Sequence, residues 1–261
     1  MALEDIIRLE FFGGILILMI LLELLSPRRA DSDRSKRWPA NFGILIIYSA
    51  ILIVLPFSPI DAALQSIFWK FGVFYWYPLP LWWAIGISLL VLDFVIYWQH
   101  RFFHQYRMLW RLHRLHHSDH AYDVTTGFRF HPIEIILSVL LKMAVIVLLG
   151  APLLSVLIFE IVLNGCAMFN HSNLKLPRAL DKVLRWVLVT PDMHRVHHSH
   201  IPDEHNSNYG FSISLWDRLF GTYRAQPAKG HEEMDIGLPG FDGAKESKIG
   251  NMLTQPFRNF S

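Results

Sequence analysis

Histidine is concentrated in two short windows of this chain. Eleven of the fourteen histidines lie within residues 100–120 and 194–205. Within these windows, histidines recur at spacings of three and four residues, which place side chains on one face of a helix. The three boxes are His100 and His104; His113, His116 and His117; and His194, His197 and His198. Three such faces can converge, so the pattern predicts a site built from imidazole.

Imidazole in this number indicates metal binding. Neutral imidazole suits iron, zinc, copper or nickel. Eight or more histidines exceed the three or four ligands of one zinc ion, which favours two metal ions over one. The single cysteine, Cys166, lies in an apolar run and provides neither a disulfide framework nor a thiolate site. Histidine therefore carries the predicted ligation alone.

The apolar residues occur in blocks that are typical of a membrane protein. Of the 261 residues, 52% are hydrophobic, and the net charge of +2 argues against nucleic acid as a partner. Apolar runs at 11–25, 42–57 and 79–98 predict membrane spans, and those at 133–149 and 152–169 predict a helical hairpin. We expect an all-α integral membrane protein with about four transmembrane helices and a cytoplasmic helical cap that holds a histidine-rich dimetal site.

Charge predicts the orientation of these spans. Residues 26–41 carry five basic side chains against two acidic ones, so this loop is expected in the cytoplasm. The third span then runs inward and places the first two boxes there, while the hairpin returns His171 beside them. The aromatic stretch 64–77 and the amphipathic stretch 174–190 are expected at the membrane surface. Residues 1–261 are expected to form one domain, with 224–261 as its polar cytoplasmic tail.

Several stretches together resemble the fatty acid hydroxylase superfamily, also called the sterol desaturase family, of integral-membrane di-iron enzymes. The bacterial members and the alkylglycerol monooxygenases are the most similar. The stretches that carry the resemblance are Arg37-Trp38-Pro39-Ala40-Asn41, His113-Arg-Leu-His-His-Ser-Asp119, Phe128-Arg-Phe-His-Pro-Ile-Glu134, Met193-His-Arg-Val-His-His-Ser199, Asn206-Ser-Asn-Tyr-Gly-Phe211 and Trp216-Asp-Arg-Leu-Phe-Gly-Thr-Tyr223.

The resemblance implies two iron ions, with zinc as the ion that wrong metal loading would introduce. It implies that one ion is surrounded by His100, His113, His116, His194 and His197, and the other by His104, His117, His171 and His198. A further histidine that some family members carry shortly before His171 is absent, so that water or Asn170 is expected in its place.

Other side chains are predicted to support the ligands rather than to bind metal. A ligating histidine usually donates its second ring nitrogen to a carboxylate or carbonyl group. The candidates that lie near the ligands in sequence are His131, Asp93, Asp119, Glu134, Asn170 and Asp192. Asp192 is also predicted to cap a helix. The remaining histidines, His120, His200, His205 and His231, are expected to be solvated or to lie in the tail.

Paired redox metals beside a membrane suit the activation of dioxygen for attack on a lipid C–H bond. The resemblance implies hydroxylation or desaturation of a fatty acyl, sterol or alkylglycerol substrate. No haem, flavin or nicotinamide motif appears, so an external electron donor such as cytochrome b5, ferredoxin or a reductase is expected. The expected location is a bacterial inner membrane, crossed several times.

Two other classes of protein remain as alternatives. A zinc-dependent membrane hydrolase would use several histidines, but the first box lacks the glutamate that the His-Glu-x-x-His pattern supplies as general base. A metal transporter or a haem-binding membrane protein would place its histidines at membrane depth. Here the histidines flank the apolar runs instead.

Overall fold

The computed structural model describes residues 3–30, 33–241 and 245–259, and its regular elements are helices. Within these ranges, β-structure is limited to three isolated bridges. The elements are α1 (Leu3–Leu25), α2 (Arg34–Val54), α3 (Pro59–Trp69), α4 (Val73–Trp76), α5 (Leu81–Gln105), α6 (Arg107–His117), a 3-10 helix (Val124–Phe128), α7 (Pro132–Leu149), α8 (Leu153–Asn170), α9 (Arg178–Leu184), α10 (Pro191–His197), α11 (Pro202–His205), α12 (Leu215–Leu219), α13 (Gly230–Glu233), α14 (Ile249–Thr254) and a second 3-10 helix (Gln255–Phe257).

Four helical stretches of the described residues are long and apolar enough to cross a membrane. They are Arg34–Trp76, which contains α2 to α4, and the single helices α5, α7 and α8. Helix α1 is not among them, and it carries four charged residues before Phe11 and Glu23 near its end. The predicted span at 11–25 lies within α1 and stays a prediction.

Helices α7 and α8 form the predicted hairpin. Gly150 ends α7 in the left-handed region at φ 66°, where a residue with a Cβ would be strained. Residues Ile146, Val156 and Phe159 then pack with Leu92 of α5 in the main apolar core. This packing aligns α5, α7 and α8, so the ends of α5 and α8 that carry histidines meet at the same level.

Helix α2 begins within the predicted loop 26–41, which is a correction to the sequence analysis. It starts at Arg34 and continues through Pro39. The cause is tertiary, because Arg37 is fully buried and pairs with Asp119 at 2.6 Å and with Asp123 at 2.7 Å. A buried charge requires a charged partner, and the helical start places Arg37 between these two carboxylates.

The last described residues pack on the rest of the chain. Met252 of α14 is fully buried against Ile44 of α2 and Leu115 of α6. Arg111 Nε donates to the carbonyl oxygen of Pro256 at 2.6 Å. We use the name cap for α6 and α9 to α14 together. Met252, which lies in the predicted tail, is therefore part of the cap.

Candidate metal centre

Nine histidines meet in two adjacent groups at the junction of the long helices and the cap. Within each group, one ligand atom per residue lies within 4.8 Å of every other. Site A consists of His100, His104, His113, His117 and His197, and site B consists of His116, His171, His194 and His198. The rings of His117 and His198 stack with centroids 4.6 Å apart, so the two sites share a wall.

The division between the sites differs from the one that the resemblance implies. His104 and His117 lie in site A, whereas His116 and His194 lie in site B. The reason is helical geometry, because residues four apart share a face while neighbouring residues diverge by about 100°. Each pair at that spacing therefore stays in one site: His100 with His104, His113 with His117, and His194 with His198.

Backbone carbonyl groups orient three of these imidazoles. The Nδ1 atoms of His100 and His197 lie 2.8 and 2.7 Å from the carbonyl oxygens of Tyr209 and Ser207. His171 makes the same contact with Ala167 at 2.8 Å. A carbonyl oxygen can only accept, so Nδ1 carries the proton and the Nε2 lone pair is free to bind a metal ion.

Glu134 holds a fourth imidazole in the same way. Its Oε1 lies 2.6 Å from Nδ1 of His113, and both side chains are buried. Within the described residues, Nε2 of His100, His113 and His197 is buried without a hydrogen-bond partner. Buried polar atoms normally have a partner, so these three atoms form a donor set that a cation in site A would satisfy.

Three imidazoles of site B are close enough together to bind one metal ion. Nε2 of His171 lies 3.0 Å from Nε2 of His116 and 3.1 Å from Nε2 of His194. Three imidazoles bound to one ion at about 2.0 to 2.1 Å bring their nitrogens to comparable separations. The donor set fits a borderline-soft divalent metal in both sites.

Burial keeps these imidazoles neutral. It lowers the pKa of His113 and of His171 to about 3. Burial, followed by the neighbouring imidazoles, lowers the pKa of His117 and of His198 well below the ordinary value. Neutral imidazole is the form that binds metal, so the site is prepared for ligation at neutral pH.

Four carboxylates were predicted to support the ligands, and each has a different partner. Glu134 contacts a histidine of site A directly. Asp93 accepts a hydrogen bond from Trp216 Nε1 at 2.8 Å, and Asp119 binds Arg37 instead. Asp192 pairs with Arg195 and with Arg28.

The helix cap before the third box is Thr190, which corrects the prediction for Asp192. The Thr190 side chain accepts from the backbone N–H of Met193, while Asp192 lies inside the first turn of α10. Threonine at this position has the extended backbone that a cap requires. Asp192 is free to pair with arginine because the cap is already supplied.

His131 and Asn170 belong to neither group. His131 caps α7, with Nδ1 accepting from the N–H of Ile133 at 3.2 Å. Asn170 donates to the carbonyl oxygen of Phe211 at 2.7 Å and directly precedes His171. These contacts give both residues a local structural role.

The histidines outside the boxes are placed differently. His120 and His200 are partly exposed, at 3.9 and 3.6 Å from Asp33 and Asp235. His231, expected in the tail, is buried and lies 3.7 Å from Asp192. His205 stacks on Trp110 at 5.5 Å.

Trp110 and His205 border a cavity of about 240 Å³ that the sequence did not indicate. It is also lined by Asn206, Leu238, Pro239 and His104, and His104 belongs to site A. The sequence did not reveal the pairing of Arg37 either. A charged residue beside a predicted apolar span was the available signal for it. The carbonyl partners of His100 and His197 have no side-chain signal at all.

Sequence comparisons identify the family of this chain. Residues 85–222 match the sequence profile described as fatty acid hydroxylase, which is more than half of the chain. The protein belongs to the fatty acid hydroxylase family. The matched region contains all nine site histidines. No solved structure matches the chain.

Three characterised proteins illustrate the range of relatives. The chain is 34% identical over 162 residues to ornithine lipid hydroxylase OlsE of Rhizobium tropici, covering 62% of this chain and 47% of that protein. Alkylglycerol monooxygenase of Xenopus tropicalis is 32% identical over 150 residues, covering 56% and 32%. Delta(7)-sterol 5(6)-desaturase erg3B of Aspergillus fumigatus is 29% identical over 157 residues, covering 56% and 42%. The matched region spans less than half the length of each.

Proposed function

We propose that this protein is a membrane-bound di-iron oxygenase that hydroxylates or desaturates a C–H bond of a lipid. The observation that carries the proposal is the convergence of nine histidines, eight of them buried, in two adjacent groups. In site A, Nε2 of His100, His113 and His197 is buried without a hydrogen-bond partner among the described residues. A zinc hydrolase uses three protein ligands and a general base, and neither group resembles that arrangement. The relatives are named as lipid hydroxylases, monooxygenases and desaturases.

The nine histidines would hold two iron ions, one in each site. Iron bound there would supply the reaction of dioxygen with an unactivated C–H bond, for which two electrons come from an external donor. In hydroxylation, a C–H bond, dioxygen, two electrons and two protons give a hydroxyl group and water. In desaturation, the same dioxygen, two electrons and two protons remove two hydrogens from adjacent carbons, which gives a C=C bond and two water molecules.

The protein contributes orientation and exclusion of water. The Nδ1 contacts of His100, His113, His171 and His197 hold each ring in one tautomer, with Nε2 directed inward. Burial of the surrounding side chains limits access of water, which protects reactive species from side reactions. Among the nine histidines, only His104 is partly exposed, beside the cavity at Trp110.

The substrate class that we favour is a membrane lipid, because the sites lie at the ends of apolar helices α5 and α8. A cytochrome b5, a ferredoxin or a reductase would serve as electron donor. We also propose that the histidine end faces the cytoplasm of a bacterial cell, as part of one domain. Arg28, from the basic segment 26–41, lies at that end, 3.2 Å from Asp192.

Analysis of the lipid products of the purified enzyme tests this proposal. The iron-loaded protein, supplied with a chemical reductant and oxygen, is incubated with extracted bacterial lipids, and products are read by mass spectrometry under ¹⁸O₂. We expect a lipid that gains one oxygen atom from O₂, or one that loses two hydrogens.

The His117→Ala and His198→Ala variants should abolish this product, because each removes a ligand from a different site. His200→Ala is the matched control, since this partly exposed histidine lies outside both groups, and it should keep full activity. Lipid hydrolysis products, or equal activity without oxygen, would overturn the proposal.

A further inference from the structure

Six large apolar side chains form one exposed surface on the cap. Exposed fractions reach 68% for Val183 and 65% for Leu219, far above those of a packed core. We call this surface the lip, and its members are Leu180, Val183, Trp186, Val187, Leu215 and Leu219. Contiguous exposed apolar patches are uncommon on water-facing surfaces and mark sites of interaction.

The two segments that make the lip are fixed to each other. The backbone N–H of Val189 donates to the carbonyl oxygen of Ser212, and that of Ser214 donates to Val187, each at 3.0 Å. The Arg218 guanidinium lies over the Trp186 ring at 4.2 Å. These contacts hold α9 and α12 as one rigid surface.

Helix α12 divides into an inner and an outer face. Trp216 and Phe220, four residues apart, pack on α5, with ring centroids 5.1 Å from Phe94 and from Trp98 respectively. Leu215 and Leu219 have the same spacing and are 52% and 65% exposed. The inner face anchors α12 to α5, and the outer leucines point away from the protein.

The position of this anchor on α5 places the lip beside hydrocarbon. Helix α5 is a candidate membrane span that begins at Leu81, with exposed Trp82 and Trp83 in its first turn. A span requires about 20 residues, or about 30 Å, and Phe94 lies only about 20 Å along the helix. The lip therefore continues the lipid-facing surface of α5 rather than a water-facing surface of the cap.

The side chains beside the lip are basic, as expected of a surface that contacts lipid headgroups. Exposed Lys175, Arg178 and Lys182 lie along α9 and the segment before it. Basic side chains beside an apolar face favour the headgroups of anionic lipids. We infer that the lip is a membrane-binding surface that inserts into the headgroup and upper acyl region of the leaflet bordering the metal centre.

Fluorescence quenching in nanodiscs tests this inference without reference to catalysis. In a Cys166→Ser background, single cysteines at Val183→Cys and Leu219→Cys carry an environment-sensitive fluorophore. The nanodiscs contain phosphatidylcholine and phosphatidylglycerol, with or without a phosphatidylcholine that bears a nitroxide quencher near the headgroup. Asp203→Cys, at an exposed residue of α11, is the control.

We expect quenching several-fold stronger at positions 183 and 219 than at position 203, together with a blue-shifted emission. Both test residues are exposed, so labelling should not disturb packing. Val187→Cys provides a third position, and metal content verifies that each labelled protein is folded. Quenching at 183 and 219 no stronger than at 203 would overturn the inference.

Discussion

Replacement of Glu134 by alanine should weaken metal binding in site A and leave metal binding in site B unchanged. The carboxylate accepts from His113 Nδ1 at 2.6 Å, and both side chains are buried. Glu134→Ala leaves a buried N–H group without an acceptor and lets the ring turn. Loss of such a contact weakens metal binding by about 10- to 100-fold. That equals about 1.4 to 2.7 kcal/mol, comparable to a hydrogen bond with a charged group at about 1.5 to 3 kcal/mol.

The assay is competition for Co²⁺ between the metal-free protein in detergent and a chelator of known affinity, followed by visible absorption. We expect Glu134→Ala to weaken binding in site A by about 10- to 100-fold and to leave site B unchanged. Glu134→Gln should fall between, because an amide oxygen still accepts from Nδ1.

Glu232→Ala is the control, since this carboxylate is largely exposed and pairs with Arg28. It should leave both affinities unchanged. Equal weakening of the two sites by Glu134→Ala, or no weakening at all, would refute the role of Glu134 as the group that orients a site A ligand.

Three further predictions concern stability, measured as apparent melting temperature in detergent. Arg37→Met leaves Asp119 and Asp123 without their shared buried cation and should lower the stability of the protein by about 3 to 5 kcal/mol. Arg37→Lys should lose less stability than Arg37→Met. Equal melting temperatures of Arg37→Met and wild type would contradict this. Lys142 Nζ lies 2.6 Å from Glu160 Oε1, so Glu160→Ala leaves Lys142 as an unpaired buried charge and should lower stability by a similar amount. Replacement of both residues by methionine should lower stability less. A double variant less stable than Glu160→Ala would disprove the pairing. The metal-free protein should lose stability as pH falls from about 6.5 toward 3, because burial lowers the pKa of His113 to about 3 and only the unfolded chain takes up the proton in this range. Each such histidine contributes up to about 1.4 kcal/mol per pH unit. A melting temperature that does not change with pH would refute this.

The histidine boxes and the hairpin were accessible from sequence because they depend on local rules. A spacing of four residues puts His100 with His104 and His113 with His117, whatever the rest of the chain does. The turn at Gly150 follows from glycine and proline between two apolar runs. Local periodicity therefore predicts which residues can converge and where the helices turn.

Contacts between distant segments were not accessible. The assignment of His116 to site B depends on where His171 and His194 meet it, and no spacing along the chain encodes that meeting. The burial of Arg37 requires two aspartates more than 80 residues away. Backbone carbonyl partners, such as that of Tyr209, leave no trace in side-chain identity.

Metal content per chain decides whether the nine histidines hold two metal ions. The protein is purified from iron-supplemented cells beside His113→Ala, His194→Ala and the double variant, and is analysed by mass spectrometry of the elements. We expect two iron ions in the wild type, one in each single variant and none in the double variant. A single ion in the wild type, or no metal at all, would contradict it.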